Sequence, residues 1–334
     1  MNGIKETRRI RSIIKKYCFC ALLCVSLLLS GCQKEDVDDC AAPQIVLGEL
    51  NYYDAIKLPK GDMSDHTFVG DELWVFFVSN EEHTEYSDIH RYKVDIPNND
   101  YEYIGKISHN LGHCNTVDYC RENDTLILGN GGNINYDLQG QIYIINNVSE
   151  LKERNDITFN DVAKIIDLDD PWGGEFGWQV NVCWGESNQG DHNIIYVISN
   201  RDNVKYIRKI LLGVGQNQLQ YGKFAAVGDK EFNGTFKILS EYHQDYSTLY
   251  CNQGTQYYGG KLYEALGHDG VLIAVDSLLE SGDVKTEYLK TYYYREDGEI
   301  SPSTFSEGIA IKDGYLFAGQ YDYYFGSKIL IYQL

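Results

Sequence analysis

The stretch Gln253-Gly-Thr-Gln-Tyr-Tyr-Gly-Gly-Lys-Leu-Tyr-Glu-Ala-Leu-Gly267 is echoed further on by Glu307-Gly-Ile-Ala-Ile-Lys-Asp-Gly-Tyr-Leu-Phe-Ala-Gly-Gln320. Each copy sets a polar residue before Gly, then a short strand, a Gly-containing turn and an apolar-aromatic strand. Looser copies are His66–Phe77, His113–Tyr119 with Thr125–Asn130, and Gln179–Trp184 with Ile194–Ser199. A lone hairpin cannot bury its own apolar faces, so a chain that repeats one must stack similar units against each other. A third strand follows each hairpin, as in Gln141–Asn146, Lys205–Leu211, Val271–Asp276 and Ser327–Tyr332. A fourth follows in Tyr103–Ser108, Ala163–Leu168 and Thr286–Tyr292. With 28 Tyr, 32 Gly and 5 Pro, the composition suits strands joined by tight turns. Helical patterns are confined to Val148–Arg154 and Ser277–Glu280.

Four antiparallel strands repeated along a chain describe the blades of an all-β propeller. Five hairpins predict five blades, and the long interval Tyr221–Tyr246 leaves room for a sixth. The chain ends on the third strand of its last blade. The early segment Gln44–Leu58 is therefore expected to supply the missing outer strand and close the ring. An irregular β-sandwich is the competing architecture. No Pro/Ser-rich linker divides residues 42–334, which read as one domain.

The Gln/Glu-Gly starts and the turns Asp313-Gly-Tyr-Leu-Phe317 and Gly259-Gly-Lys-Leu-Tyr263 resemble bacterial propellers of the streptogramin-lyase and NHL-like kind. That resemblance implies the fold. It leaves function open, because such propellers include lyases, lactonases, glycan-acting enzymes and binding scaffolds.

The N-terminus carries an address. Lys5, Arg8, Arg9, Arg11, Lys15 and Lys16 precede an apolar run too short to span a bilayer comfortably, which closes on Leu29-Ser30-Gly31-Cys32. This order resembles the lipobox of bacterial lipoproteins. It implies a signal peptide over residues 1–31, acylation of Cys32 and a tether over residues 32–41. The acidic run Lys34-Glu-Asp-Val-Asp-Asp39 resembles the export signal of Bacteroidetes-type surface lipoproteins, and implies an outer-membrane, lipid-anchored protein facing outward. Three acyl chains on one cysteine would anchor it firmly. The whole chain has 29 basic and 49 acidic residues, a formal charge of -20. Losing residues 1–31 removes six basic residues and Glu6, so 23 against 48 leaves -25. Such a surface repels nucleic acid, and a membrane partner is expected only through Cys32.

Chemistry on a propeller concentrates where inner strands begin. Those positions offer His66, His113, Asn115, Gln179, Gln253 and Glu307 as a channel-mouth ligand site, with Asp65, Asn181 and Asn252 beside them at the strand starts and Asp65, Asp118 and Glu307 as the nearby carboxylates. One polar residue per blade suits a sugar, and a divalent metal could also sit there; no cofactor is expected. The Gly-rich loop Asp169–Trp178 holds Trp172 and Trp178, rings suited to stacking on sugars. The common nucleophile, phosphate and zinc motifs are missing, and no Cys-x-x-Cys pair remains after Cys32. The expected function is binding of a glycan or a protein partner at the cell surface. The alternative is a glycan-active hydrolase or lyase working at the channel mouth.

Overall fold

The computed structural model describes residues 47–80, 83–130, 141–167, 181–185, 193–201, 204–213, 236–245, 252–266, 271–291, 304–322 and 326–334. Two N-terminal strands, β1 (Leu47–Glu49) and β2 (Asn51–Lys57), precede the first blade. That blade holds β3 (Met63–Val69), β4 (Glu72–Phe77), β5 (Ser87–Asp95) and β6 (Asp100–His109). The second holds β7 (Thr116–Cys120), β8 (Thr125–Asn130), β9 (Gln141–Asn146) and, after the short β10 (Asp156–Ile157), β11 (Val162–Asp167). The third runs through β12 (Asn181–Trp184), β13 (Ile194–Arg201), β14 (Val204–Leu212) and β15 (Phe236–Asp245). The fourth is β16 (Asn252–Tyr258), β17 (Lys261–Leu266), β18 (Val271–Leu278) and β19 (Val284–Thr291). The fifth has β20 (Thr304–Lys312), β21 (Tyr315–Asp322) and β22 (Lys328–Gln333).

β2 completes that last sheet, pairing antiparallel with β22 from Asn51↔Gln333 to Lys57↔Lys328. The ring is therefore closed by non-local backbone hydrogen bonds, as the missing fourth strand required. Inner strands β3, β7, β12, β16 and β20 adjoin in that order, and β20 returns to β3. This is a five-bladed β-propeller. The interval that left room for a sixth blade instead supplies β15, the outer strand of the third blade. Ser277 and Leu278 end a strand where a helical turn was expected, while Val148–Leu151 does form one. Two parallel additions were not foreseen: β1 lies on the outer strand β19, and β10 on β6.

Both faces of each blade are buried, which is why the middle strands read as continuous apolar runs. On β4, Trp74 and Phe76 face the second blade while Leu73, Val75 and Phe77 face the fifth. On β13, Ile195 and Val197 pack toward the second blade while Tyr196 and Ile198 pack toward the fourth. Each such side chain contributes roughly 1.5–3 kcal/mol when fully buried. One seam is ionic. Lys205 of β14 is 1% exposed, with its Nζ 2.8 Å from Glu264 Oε1 and also bonded to Asp276 Oδ2. Thr286 donates to Asp276 Oδ1 at 2.5 Å. Burial pushes the Glu264 carboxyl up; for Asp276 burial is outweighed only by Lys205 together with the hydrogen bonds from Glu264 and Thr286, which hold it down. Burial works against the Lys205 charge too, but its two carboxyl partners keep it an ammonium.

Candidate functional site

Strand order places every inner-strand start, and every turn between second and third strands, on one face of the ring, called the mouth below. The polar residues there divide into two sets with different work.

The first set clamps the blades together. Asp65 is fully buried and accepts three backbone N–H groups: its own neighbour His66 at 2.7 Å, Val117 of β7 at 2.6 Å and Ile309 of β20 at 3.2 Å. Thr116 and Asp118 repeat the device one blade on, taking Val182 N–H at 3.0 Å and Trp184 N–H at 2.9 Å. The Cys183 thiol takes the Tyr257 N–H, and Gln256 Oε1 takes that of Ile311. Inner strands have one edge with no ladder partner, so these side chains supply the acceptors that a sheet would. Burial raises the Asp65 carboxyl well above its ordinary range and pushes Asp118 up to about 7, against the backbone bonds that favour their charge. Of the three carboxylates expected at the mouth, Asp65 and Asp118 are thus structural ties between blades.

His66 also leaves the mouth. Its ring is fully buried, with Nε2 3.0 Å from the Phe317 carbonyl on β21 and its pKa lowered by burial to about 4. It is a neutral seam residue between the first and fifth blades.

The second set stays at the mouth. Asn115 precedes β7, Asn181 opens β12, Gln253 lies at the start of β16, and Glu307 sits within β20 at the bulge between Ser306 and Ile309. Neighbouring contacts bind these positions into one ring. Gly254 and Gly308, directly after Gln253 and Glu307, approach so closely that a Cβ on Gly254 would lie 2.4 Å from Gly308 Cα. Both glycines have positive φ, 85° and 83°, so the Gln/Glu-Gly signature marks a close approach that no larger residue could make. Ser64 of β3 donates to the His113 carbonyl and, at 2.7 Å, to that of Cys114, which fixes the segment before Asn115. The Thr116–Val182 bond sets Asn115 beside Asn181.

Asp62, an exposed residue just before β3, lies near them. Burial, and then the nearby Asp62 charge, raise the half-buried Glu307 to about 8. Burial lowers His113, while Asp62 pulls it back up. Asp62 was missed in the sequence. The spacing could have found it, since Asp62-x-x-Asp65 matches Asn115-x-x-Asp118. The ring thus has one polar residue per blade: Asp62, Asn115, Asn181, Gln253 and Glu307. Three of their side-chain oxygens, Asn115 Oδ1, Asn181 Oδ1 and Gln253 Oε1, are buried with no hydrogen-bond partner among the described residues. Gln179, Trp172 and Trp178 lie outside the described residues.

Carboxyl and amide oxygens of this kind fit hydroxyl or ammonium donors, and as hard ligands would also accept a calcium-like ion. Among the described residues no cluster of three His, Cys, Asp or Glu is placed to hold a metal.

No protein-family model and no curated protein matches the chain. Solved structures do. The WD40 β-propeller domain of Doa1 is 11% identical with a TM-score of 0.38, over 85% of this chain and 96% of that one. The β-propeller domain of Myceliophteria thermophila Cps50 (Swd1) is 9% identical with a TM-score of 0.40, over 85% and 99%. A glycosyl hydrolase from Bacteroides ovatus is 8% identical with a TM-score of 0.43, over 82% and 84%. Likenesses of this size concern architecture, which the five sheets already define.

Proposed function

We propose that this chain is an outer-membrane lipoprotein, anchored through acylated Cys32 and facing outward, whose propeller binds a glycan at its mouth. The lipobox-like Leu29-Ser-Gly-Cys32 supports the anchor, and the resemblance to streptogramin-lyase and NHL-like propellers is compatible with a binding scaffold. One observation carries the ligand: three buried amide oxygens, on three adjoining inner strands, wait for hydrogen-bond donors. A buried acceptor left unpaired costs about 1–3 kcal/mol, and sugar hydroxyls meet that need. A glycan-array screen of the full-length protein in detergent tests the reading. Retention should be lost in Asn181→Ala and Glu307→Gln at unchanged melting temperature; retention of nothing by the wild type refutes it. Cys32→Ser should move the protein out of the membrane fraction.

A second reading has its own support. Burial, with Asp62 nearby, raises the Glu307 carboxyl to about 8, and a carboxyl raised in this way is one of the two groups that glycosidic cleavage uses. Release of reducing ends from a retained glycan, abolished by Glu307→Gln, would favour an enzyme over a binding module.

A further inference from the structure

At the seam between the third and fourth blades, an amine and two carboxyl groups meet out of water. Lys205 of β14, Glu264 of β17 and Asp276 of β18 are all fully buried. Lys205 Nζ lies 2.8 Å from Glu264 Oε1 and against Asp276 Oδ2, and the two carboxyls are hydrogen-bonded to each other. Thr286 of β19 donates to the other Asp276 oxygen, Oδ1, at 2.5 Å. The Gln244 amide is 2.9 Å from the same hydroxyl, and with its N–H2 turned that way the hydroxyl proton is left for Asp276. Ile207, Leu262 and Leu278 stand two residues away on the same three strands and pack into one apolar cluster, so strand alternation turns the triad towards it.

We propose that Lys205 and Asp276 condense into an isopeptide bond that staples the two blades together, with Glu264 transferring the protons. The ion pair is the state before condensation, and it joins residues 71 apart in the chain. Lys205 first gives one proton to the carboxyl pair, leaving a neutral amine beside two neutral acids. Burial works against the charge on all three groups, so this exchange is far easier here than in water. Nζ then attacks Asp276 Cγ, while the Thr286 hydroxyl steadies the oxygen on which negative charge develops. Glu264 passes its proton to the departing hydroxyl and takes one from the nitrogen. A C–N bond forms, a C–O bond breaks, one water leaves and Glu264 is restored. Groups held in contact react as if at about 10⁵ M or more, which favours a condensation that free amines and acids do not undergo.

Tryptic digestion of the denatured full-length protein, followed by mass spectrometry, tests the bond. Trypsin does not cut after an acylated lysine. Residues 202–208 should therefore stay joined to residues 262–285 as one branched species, lighter by one water than the two peptides together. Fragmentation of that species should place the link on Asp276. In Glu264→Gln the branched fraction should fall about tenfold or more, and Glu264→Asp, which keeps an acid on a shorter arm, should lie between the two. Melting temperatures identify which variants remain folded. Wild-type protein cut after Lys205, with residues 262–285 recovered at their own mass, overturns the bond. A link on Glu264 overturns the assignment of Asp276 as the carboxyl attacked. Full linkage in either folded Glu264 variant overturns the part given to Glu264.

Discussion

Asp65 on the first inner strand accepts the backbone N–H of Val117 on the second at 2.6 Å, and through its other oxygen that of Ile309 on the fifth. One side chain thus ties three blades at the axis. Asp65→Ala would strand backbone N–H groups at a fully buried position, at a cost of about 3 kcal/mol or more. Asp65→Asn keeps one acceptor oxygen but turns an N–H2 against the other backbone N–H, and should cost less than Asp65→Ala without being neutral. Thermal unfolding of the two variants checks the order, and equal melting temperatures would show that the clamp contributes nothing.

Crowding at the axis makes a second prediction. Gly308 has positive φ, and a Cβ there would meet Asp65 Oδ1 at 2.1 Å. Gly314 also has positive φ, but with nothing within 4 Å. Gly314→Ala should cost about 1 kcal/mol for backbone strain alone, and Gly308→Ala several times that. Urea midpoints at unchanged slope would measure the difference.

Lys205 faces two buried carboxyl groups. Lys205→Met leaves them uncompensated and should destabilise by about 3–5 kcal/mol. Adding Glu264→Gln should recover part of the loss, because the remaining carboxylate then has an amide neighbour instead of an acid. Without any recovery, the loss would belong to packing and not to charge.

Stability should also fall as pH rises from about 6.5 to 8.5. Asp118, raised to about 7, and Glu307, raised to about 8, hold protons in the folded state that the unfolded chain has already released. Across that window the unfolded state binds fewer protons, so raising pH favours unfolding. His66 and His109 act in the opposite sense lower down. Their folded values are about 4 against an ordinary 6.5, so they favour folding above pH 6.5 and lose that contribution as pH falls toward 4. The two effects oppose each other between pH 4 and 6.5, and only the carboxyl effect continues above. Melting temperatures at stepped pH should show the alkaline decline; Asp118→Asn should remove its part below about pH 7, and Glu307→Gln a part that continues to about pH 8.

Much of the fold was legible before any coordinates. Blade count, hairpin positions and closure by the N-terminal segment all follow from the repeat, because a stack of like sheets needs equal strand sets and a complete ring. The candidate site was legible only as a list of positions. Asp65, His66 and Asp118 stand at the same strand starts as Asn115 and Glu307, and nothing in their identity says which way they turn. Alternate residues on an inner strand face opposite blades. The sorting therefore depends on register and on the bulges at Met63/Asp65, Asn252/Thr255 and Ser306/Ile309.

By itself, the sequence pointed to a stack of four-stranded units, five with room for a sixth, whose last sheet borrows a strand from the chain's beginning. Hydrophobic alternation and turn spacing are local properties, written in order along the chain. Only the tertiary structure decided which polar residues became clamps and which remained at the mouth. That choice turns on whether a side chain meets a neighbouring strand's backbone N–H, a non-local distance that no short stretch encodes. Asp65 found such partners and became part of the frame, while Asn115, Asn181 and Gln253 kept buried oxygens with none.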